Sequence, residues 1–132
     1  MMLSHVTVGV TDLARAMAFY DAIFAPLGIE RFGTDIAGGW VGWQAKGRRF
    51  PTFWICHPYD GNAPHPGNGP MTGFLAPGEQ AVRDAHAAAL AAGGSDEGAP
   101  GLRGYAPDWY GAYVRDPDGN KLCFVHRAQT PG

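Results

Sequence analysis

His5 is the one titratable side chain in an alternating apolar stretch near the start of the chain, Leu3-Ser4-His5-Val6-Thr7-Val8-Gly9-Val10. In an extended strand Val6, Val8 and Val10 fall on one face, and Leu3, His5, Thr7 and Gly9 on the other. An imidazole so placed can ligate a metal, act as a general base or donate to a ligand, or it can simply be a hydrogen-bonded cavity side chain. Cys123, within Leu122-Cys123-Phe124-Val125, is a nucleophile if His5 comes within reach and a buried inert thiol otherwise. Trp54 shares a strand face with Thr52 and Cys56, and Trp54 and Met71 serve either as packing residues or as an apolar clamp on a ligand. Tyr113 and Arg115 also share a face, where Arg115 either grips an anionic group or pairs with Asp116 or Asp118. Cys56 and His57 are adjacent, hence on opposite sides of a strand, and make no metal pair. Tyr105, Trp109 and Tyr110 form either a lid or a cover over the core.

The elements that must position these groups are legible in order. Thr11-Asp12 offers a helix cap, Leu13, Ala16, Met17, Tyr20 and Phe24 follow at helical spacing, and Pro26-Leu27-Gly28 ends the helix. Strands are expected over 29–35, 40–45 and 52–57, separated by Gly38-Gly39 and Gly47-Arg48-Arg49. Residues 58–70 are a Pro/Gly/Asn-rich loop. A strand over 71–76 and a helix over 79–92 follow, with Val82, Ala85, Ala89 and Leu90 facing inward and Gly93-Gly94 as the stop. Residues 95–107 are glycine-rich and irregular, with one weak strand. Strands over 109–115 and 121–127 then flank Asp116-Pro117-Asp118-Gly119, whose Pro and Gly suit a tight antiparallel turn. The order is strand, helix and three strands, twice over. It is a repeat at an offset of about 66 residues that sets His5 on Met71, Tyr20 on His86 and Gly28 on Gly94. Each unit buries one sheet face on its helix and leaves the other face for a cavity. One domain over 1–132 is expected, with the first unit at about 1–58 and the second at about 70–128.

Composition narrows the function classes. The 132 residues carry a formal net charge of −2, and of the basic residues only Arg48 and Arg49 are adjacent, which excludes an extended nucleic-acid surface. No apolar run reaches membrane-spanning length and no secretory signal is evident. Two cysteines without a paired spacing read as reduced thiols of a cytoplasmic protein.

The opening His5-Val6-Thr7-Val8-Gly9-Val10-Thr11-Asp12-Leu13, the Phe19-Tyr20 pair and the Asp116-Pro117-Asp118-Gly119-Asn120-Lys121 turn together resemble the vicinal oxygen chelate superfamily. This superfamily is also called the glyoxalase, bleomycin-resistance and extradiol dioxygenase superfamily. The resemblance spans nearly the whole chain. It implies an α+β fold of paired βαβββ modules, a cupped mixed sheet around a cavity, and a homodimer. In metal-using members, one residue on the first and one on the last strand of each unit bind a divalent ion, usually as two histidines with one or two glutamates. The matching positions here are His5, Trp54, Met71 and Cys123.

That set departs from the pattern. Hard divalent ions want oxygen ligands and none remains, tryptophan contributes nothing, and a neutral thioether is a weak ligand. No firm cofactor is therefore expected, and a divalent metal is disfavoured. The leading expectation is a metal-independent binder of a small apolar or aromatic molecule, with His5, Thr7, Trp54, Met71, Cys123, Tyr113 and Arg115 as the candidate ligand-binding residues. The alternative is a lyase, isomerase or dioxygenase of the same superfamily with His5 as catalytic base or holding a loosely bound metal. A third reading is an interaction module with a vestigial cavity.

Overall fold

A computed structural model describes residues 2–128. Its elements run β1 (His5–Gly9), α1 (Leu13–Phe24), a 3-10 turn (Ala25–Leu27), β2 (Ile29–Asp35), β3 (Trp40–Ala45), β4 (Thr52–Cys56), β5 (Thr72–Leu75), α2 (Glu79–Ala91), β6 (Ser95–Leu102), β7 (Trp109–Arg115) and β8 (Lys121–Arg127). Local chemistry accounts for most boundaries. Asp12 caps α1 by accepting from the Arg15 amide at 3.0 Å, and Gly28 closes the following turn in the left-handed region at φ 71°. Asp12→Ala is expected to lower stability by about 1 kcal/mol, measured as a shift of the urea midpoint at unchanged slope.

The repeat is complete in the strand topology. The two sheets have orders β1-β4-β3-β2 and β5-β8-β7-β6. In each, the first strand pairs parallel with the last (β1 with β4, β5 with β8), and the remaining pairings are antiparallel. The registers correspond too: Thr7 lies opposite Trp54 and Gly73 opposite Cys123. Trp54 and Cys123 thus hold equivalent positions in the two units.

One core serves both sheets. Phe19, Tyr20 and Phe24 of α1 and Val82, Ala85 and Ala89 of α2 are buried with Val41, Trp43, Phe53 and Ile55 of sheet one and Phe74, Val114, Leu122 and Phe124 of sheet two. Phe74 joins the halves, its ring centroid 4.9 Å from that of Phe24 and 5.2 Å from that of Phe53. Because the helix-bearing faces share this core, the faces carrying His5 and Thr7 on one sheet and Gly73 and Cys123 on the other are left uncovered by the helices.

A polar clasp fastens the units. The Tyr20 hydroxyl donates to Asp116 Oδ2 at 2.6 Å, and the Asn120 side-chain amide donates to Gly9 O and to Asp116 Oδ2, both at 2.9 Å. The Thr11 amide donates to Asp118 Oδ1 at 2.9 Å, and the Thr11 hydroxyl joins it there. The Asp-Pro-Asp-Gly segment is thus both a turn and the point where the second unit grips the first strand and helix of the other.

Several sequence expectations are corrected. Leu90 is exposed, because the inner stripe of α2 is formed by Val82, Ala85 and Ala89. Residues 95–102 form an eight-residue strand, which tolerates its glycines through register shifts at Asp96/Gly98 and Gly98/Gly101. Met71 precedes β5 rather than opening it. Arg115 pairs with Glu97 at 2.7 Å and donates to Gly119 O at 2.8 Å, not to Asp116 or Asp118, whose carboxylates the clasp occupies.

Candidate functional site

The uncovered face of sheet one holds three of the sequence candidates. The parallel register places Thr7 of β1 against Trp54 of β4, with His5 against Thr52 one step along. His5, Thr7, Trp40, Thr52, Trp54 and Cys56 line a shallow concavity of about 490 Å³. Its lining is more apolar than polar, since the strands contribute two indoles against one imidazole and two hydroxyls.

Trp54 is the fixed feature of this face. Its indole lies across Gly42, where an added Cβ would stand 2.6 Å from Trp54 Cζ3, and reaches Gly33, where one would stand 3.6 Å from Cη2. Two glycines on adjacent strands therefore form the slot that admits the ring. Phe32 and Trp40 meet it edge-on, at centroid separations of 5.3 and 5.2 Å. The Trp54 N–H donates to Thr52 Oγ1 at 2.9 Å, so the indole offers a ligand its π system rather than a donor. Sequence reading missed Phe32, Trp40, Gly33 and Gly42. The signal was the alternation Trp40-Val41-Gly42-Trp43, in which one tryptophan faces outward, one is core, and the glycine between them shares the outward face.

His5 is exposed, and its Nδ1 meets Ser4 Oγ at 2.9 Å. Its strand neighbours on this face are hydroxyl and indole groups, not carboxylates. Among the described residues no group of three or more His, Cys, Asp or Glu could hold a metal ion. The donor set around His5 thus does not fit the divalent site that the superfamily pattern would place here.

The remaining candidates lie elsewhere. Met71, half exposed, lines a separate cleft of about 150 Å³ together with Thr7, His65, Thr72, Asn120 and Lys121. Cys123 is buried, and burial pushes its thiol pKa up despite the neighbouring Tyr113, Arg103 and Lys121. That is the environment of an unreactive thiol at neutral pH. Tyr113 lies opposite Cys123 across the β7–β8 pair, its hydroxyl pKa raised by burial and then by the Cys123 charge. Tyr105 is exposed and packs edge-on against Trp109 at 5.3 Å, while the Tyr110 hydroxyl accepts from Arg83 at 2.9 Å. The three aromatics therefore do not form one group. His86 is largely covered and bonds Asp96 at 2.9 Å.

Comparison with known proteins gives a consistent result. A sequence model described as the Glyoxalase/Bleomycin resistance protein/Dioxygenase superfamily matches residues 2–124. The crystal structure of a glyoxalase/bleomycin resistance protein from Albidiferax ferrireducens T118 is similar, with 40% identity, coverage of 96% of this chain and 99% of that one, and a TM-score of 0.83. A glyoxalase-related enzyme from Fulvimarina pelagi shares the fold at 18% identity, covering 96% and 88% of the two chains with a TM-score of 0.73. So does a lactoylglutathione lyase from Agrobacterium tumefaciens at 21% identity, covering 94% and 92% with a TM-score of 0.65. No curated protein matches. Among the described residues no helix is long and apolar enough to cross a membrane.

Proposed function

This chain belongs to the glyoxalase/bleomycin resistance protein/dioxygenase superfamily, and from that premise we propose that it binds a small apolar or aromatic molecule on the uncovered face of sheet one without using a metal. One observation carries the reading: Trp54 is set into a glycine slot and flanked by Phe32 and Trp40, beside an open concavity. A rigid aromatic platform of this kind gains contact area at little entropic cost and favours flat ligands. Thr7 and His5 border the platform and supply the polar contacts that orient the ligand. Binding here is sequestration, as expected of the resistance-protein branch of the superfamily. The same reading takes the protein to be a homodimer, a view supported by Met71 and Leu75, apolar side chains left exposed on the second unit.

A second reading, an enzyme of the superfamily with His5 as base, draws support from the exposure of His5 and from its Ser4 contact, which engages Nδ1 and so leaves Nε2 as the nitrogen for proton transfer. Titration with a neutral two-ring aromatic such as 2-naphthol separates the two. Protein treated with a chelator should bind it with unchanged affinity, and His5→Ala should change the dissociation constant less than about threefold, because the contact is apolar. Recovery of lost affinity on adding a stoichiometric divalent ion, or a large fall in turnover for His5→Ala, would move the assignment to the enzyme.

A further inference from the structure

The uncovered face of sheet two carries a cluster that the sheet-one reading does not use. Tyr113 stands at its centre, and two cations flank the ring, Arg103 Cζ at 5.5 Å and Lys121 Nζ at 5.7 Å from its centroid. Arg103 is held in place by its surroundings. Its guanidinium donates to Ala99 O at 2.6 Å and to Leu102 O at 3.4 Å. It occupies room left by two glycines of β6, since an added Cβ would stand 3.3 Å from Nη2 at Gly98 and 3.1 Å from Nη1 at Gly101.

Neither cation has a carboxylate partner among the described residues. Of the acids nearby in sequence, Glu97 is engaged by Arg115, Asp116 by Tyr20 and Asn120, and Asp118 by Thr11, with Arg15 at 3.8 Å, and Asp108 is not free either. Two half-buried like charges beside one ring repel each other, and a shared counter-charge would remove that cost. The guanidinium keeps N–H groups beyond those given to the carbonyls, in a planar fork suited to a carboxylate or phosphate.

We propose that this face is an anion-recognition site in which Arg103 and Lys121, both beside Tyr113, take the carboxylate or phosphate of a small molecule. It stands independently of the sheet-one platform, because Arg103, Lys121 and Tyr113 line no part of that concavity.

Titration calorimetry at low ionic strength tests it with inorganic phosphate, benzoate and the neutral benzyl alcohol. Both anions, or one of them, should bind with an affinity that falls as salt is added. A preference for phosphate identifies a phosphorylated ligand, and a preference for benzoate an aromatic carboxylate. Arg103→Gln and Lys121→Gln should each weaken anion binding about tenfold and leave benzyl alcohol unaffected, since each removes one charge-assisted contact. Gly98→Ala preserves every charge but intrudes on the Tyr113 ring and the guanidinium, and should weaken anion binding with thermal stability measured in parallel. Trp54→Ala should leave anion binding intact, which separates failure of this site from failure of the sheet-one platform. Equal anion affinity in wild type, Arg103→Gln and Lys121→Gln, or no heat from either anion at millimolar concentration, would overturn the proposal.

Discussion

Asp116→Ala is expected to destabilise the protein by about 3–5 kcal/mol, read as the free energy of unfolding by urea denaturation. Asp116 is buried, and four donors converge on its carboxylate: the amides of Asp118 and Asn120 on Oδ1 (both 2.9 Å), and the Tyr20 hydroxyl and Asn120 side-chain amide on Oδ2. Alanine would remove the acceptor from all four, leaving only the Asn120 side chain a second one at Gly9 O, and an orphaned buried donor costs more than a hydrogen bond gains. The effect should exceed that of an ordinary turn residue, because the clasp joins the second unit to α1 and, through Asn120 and Gly9, to β1. Asp116→Asn, which keeps the shape but replaces an acceptor with a donor, should fall between alanine and wild type. A loss under about 1 kcal/mol for alanine would show that the clasp is incidental.

The same clasp predicts a dependence on alkaline pH. Burial first, and then the Asp116 charge, raise the Tyr20 pKa well above 10.0. Tyrosine is neutral when protonated, so above the unfolded pKa the unfolded chain releases a proton that the folded chain retains. The unfolded state then binds fewer protons, and stability falls as pH rises from about 10 toward the folded value. Tyr20→Phe should lower stability at neutral pH by about 1–2 kcal/mol, since Asp116 loses one donor. It should also flatten the alkaline decline relative to wild type, and an identical decline in both proteins would assign it to other groups.

Trp54→Ala is expected to weaken binding of a neutral aromatic probe by about 2–3 kcal/mol, roughly 30- to 150-fold. The indole is the one ring on this face that two glycines and two further aromatics hold in a single pose. Removing it deletes contact area and also releases Phe32 and Trp40 from their edge-on packing. Stability should fall by a smaller amount, about 1–2 kcal/mol, because the ring lies outside the shared core and loses only its aromatic pairs and its bond to Thr52. Gly42→Ala offers a check that leaves the tryptophan present. A Cβ 2.6 Å from the ring must tilt the indole out of its slot, so affinity should drop although every aromatic group is retained. Affinity within threefold of wild type in Trp54→Ala would refute the platform and turn attention to His5.

Much of this molecule is written locally. The Asp12 cap, the Gly28 stop, the Asp-Pro-Asp-Gly turn and the alternation of β1 each depend on a few adjacent residues, so sequence alone determined the element order and the repeat. Alternation also determined that His5, Thr7, Trp54 and Cys123 point away from the helices, because side chains change face at every residue of a strand. What those side chains meet was decided only in three dimensions. The β3–β4 register brought Gly42 beneath Trp54, Glu97 rather than a neighbouring aspartate reached Arg115, and Tyr20 found Asp116 across 96 residues of chain. Met71 came to share a cleft with Thr7, and Cys123 was buried away from the concavity that His5 lines, because the two sheets bury their helix-bearing sides in one core, an outcome of long-range packing that no short window of sequence contains.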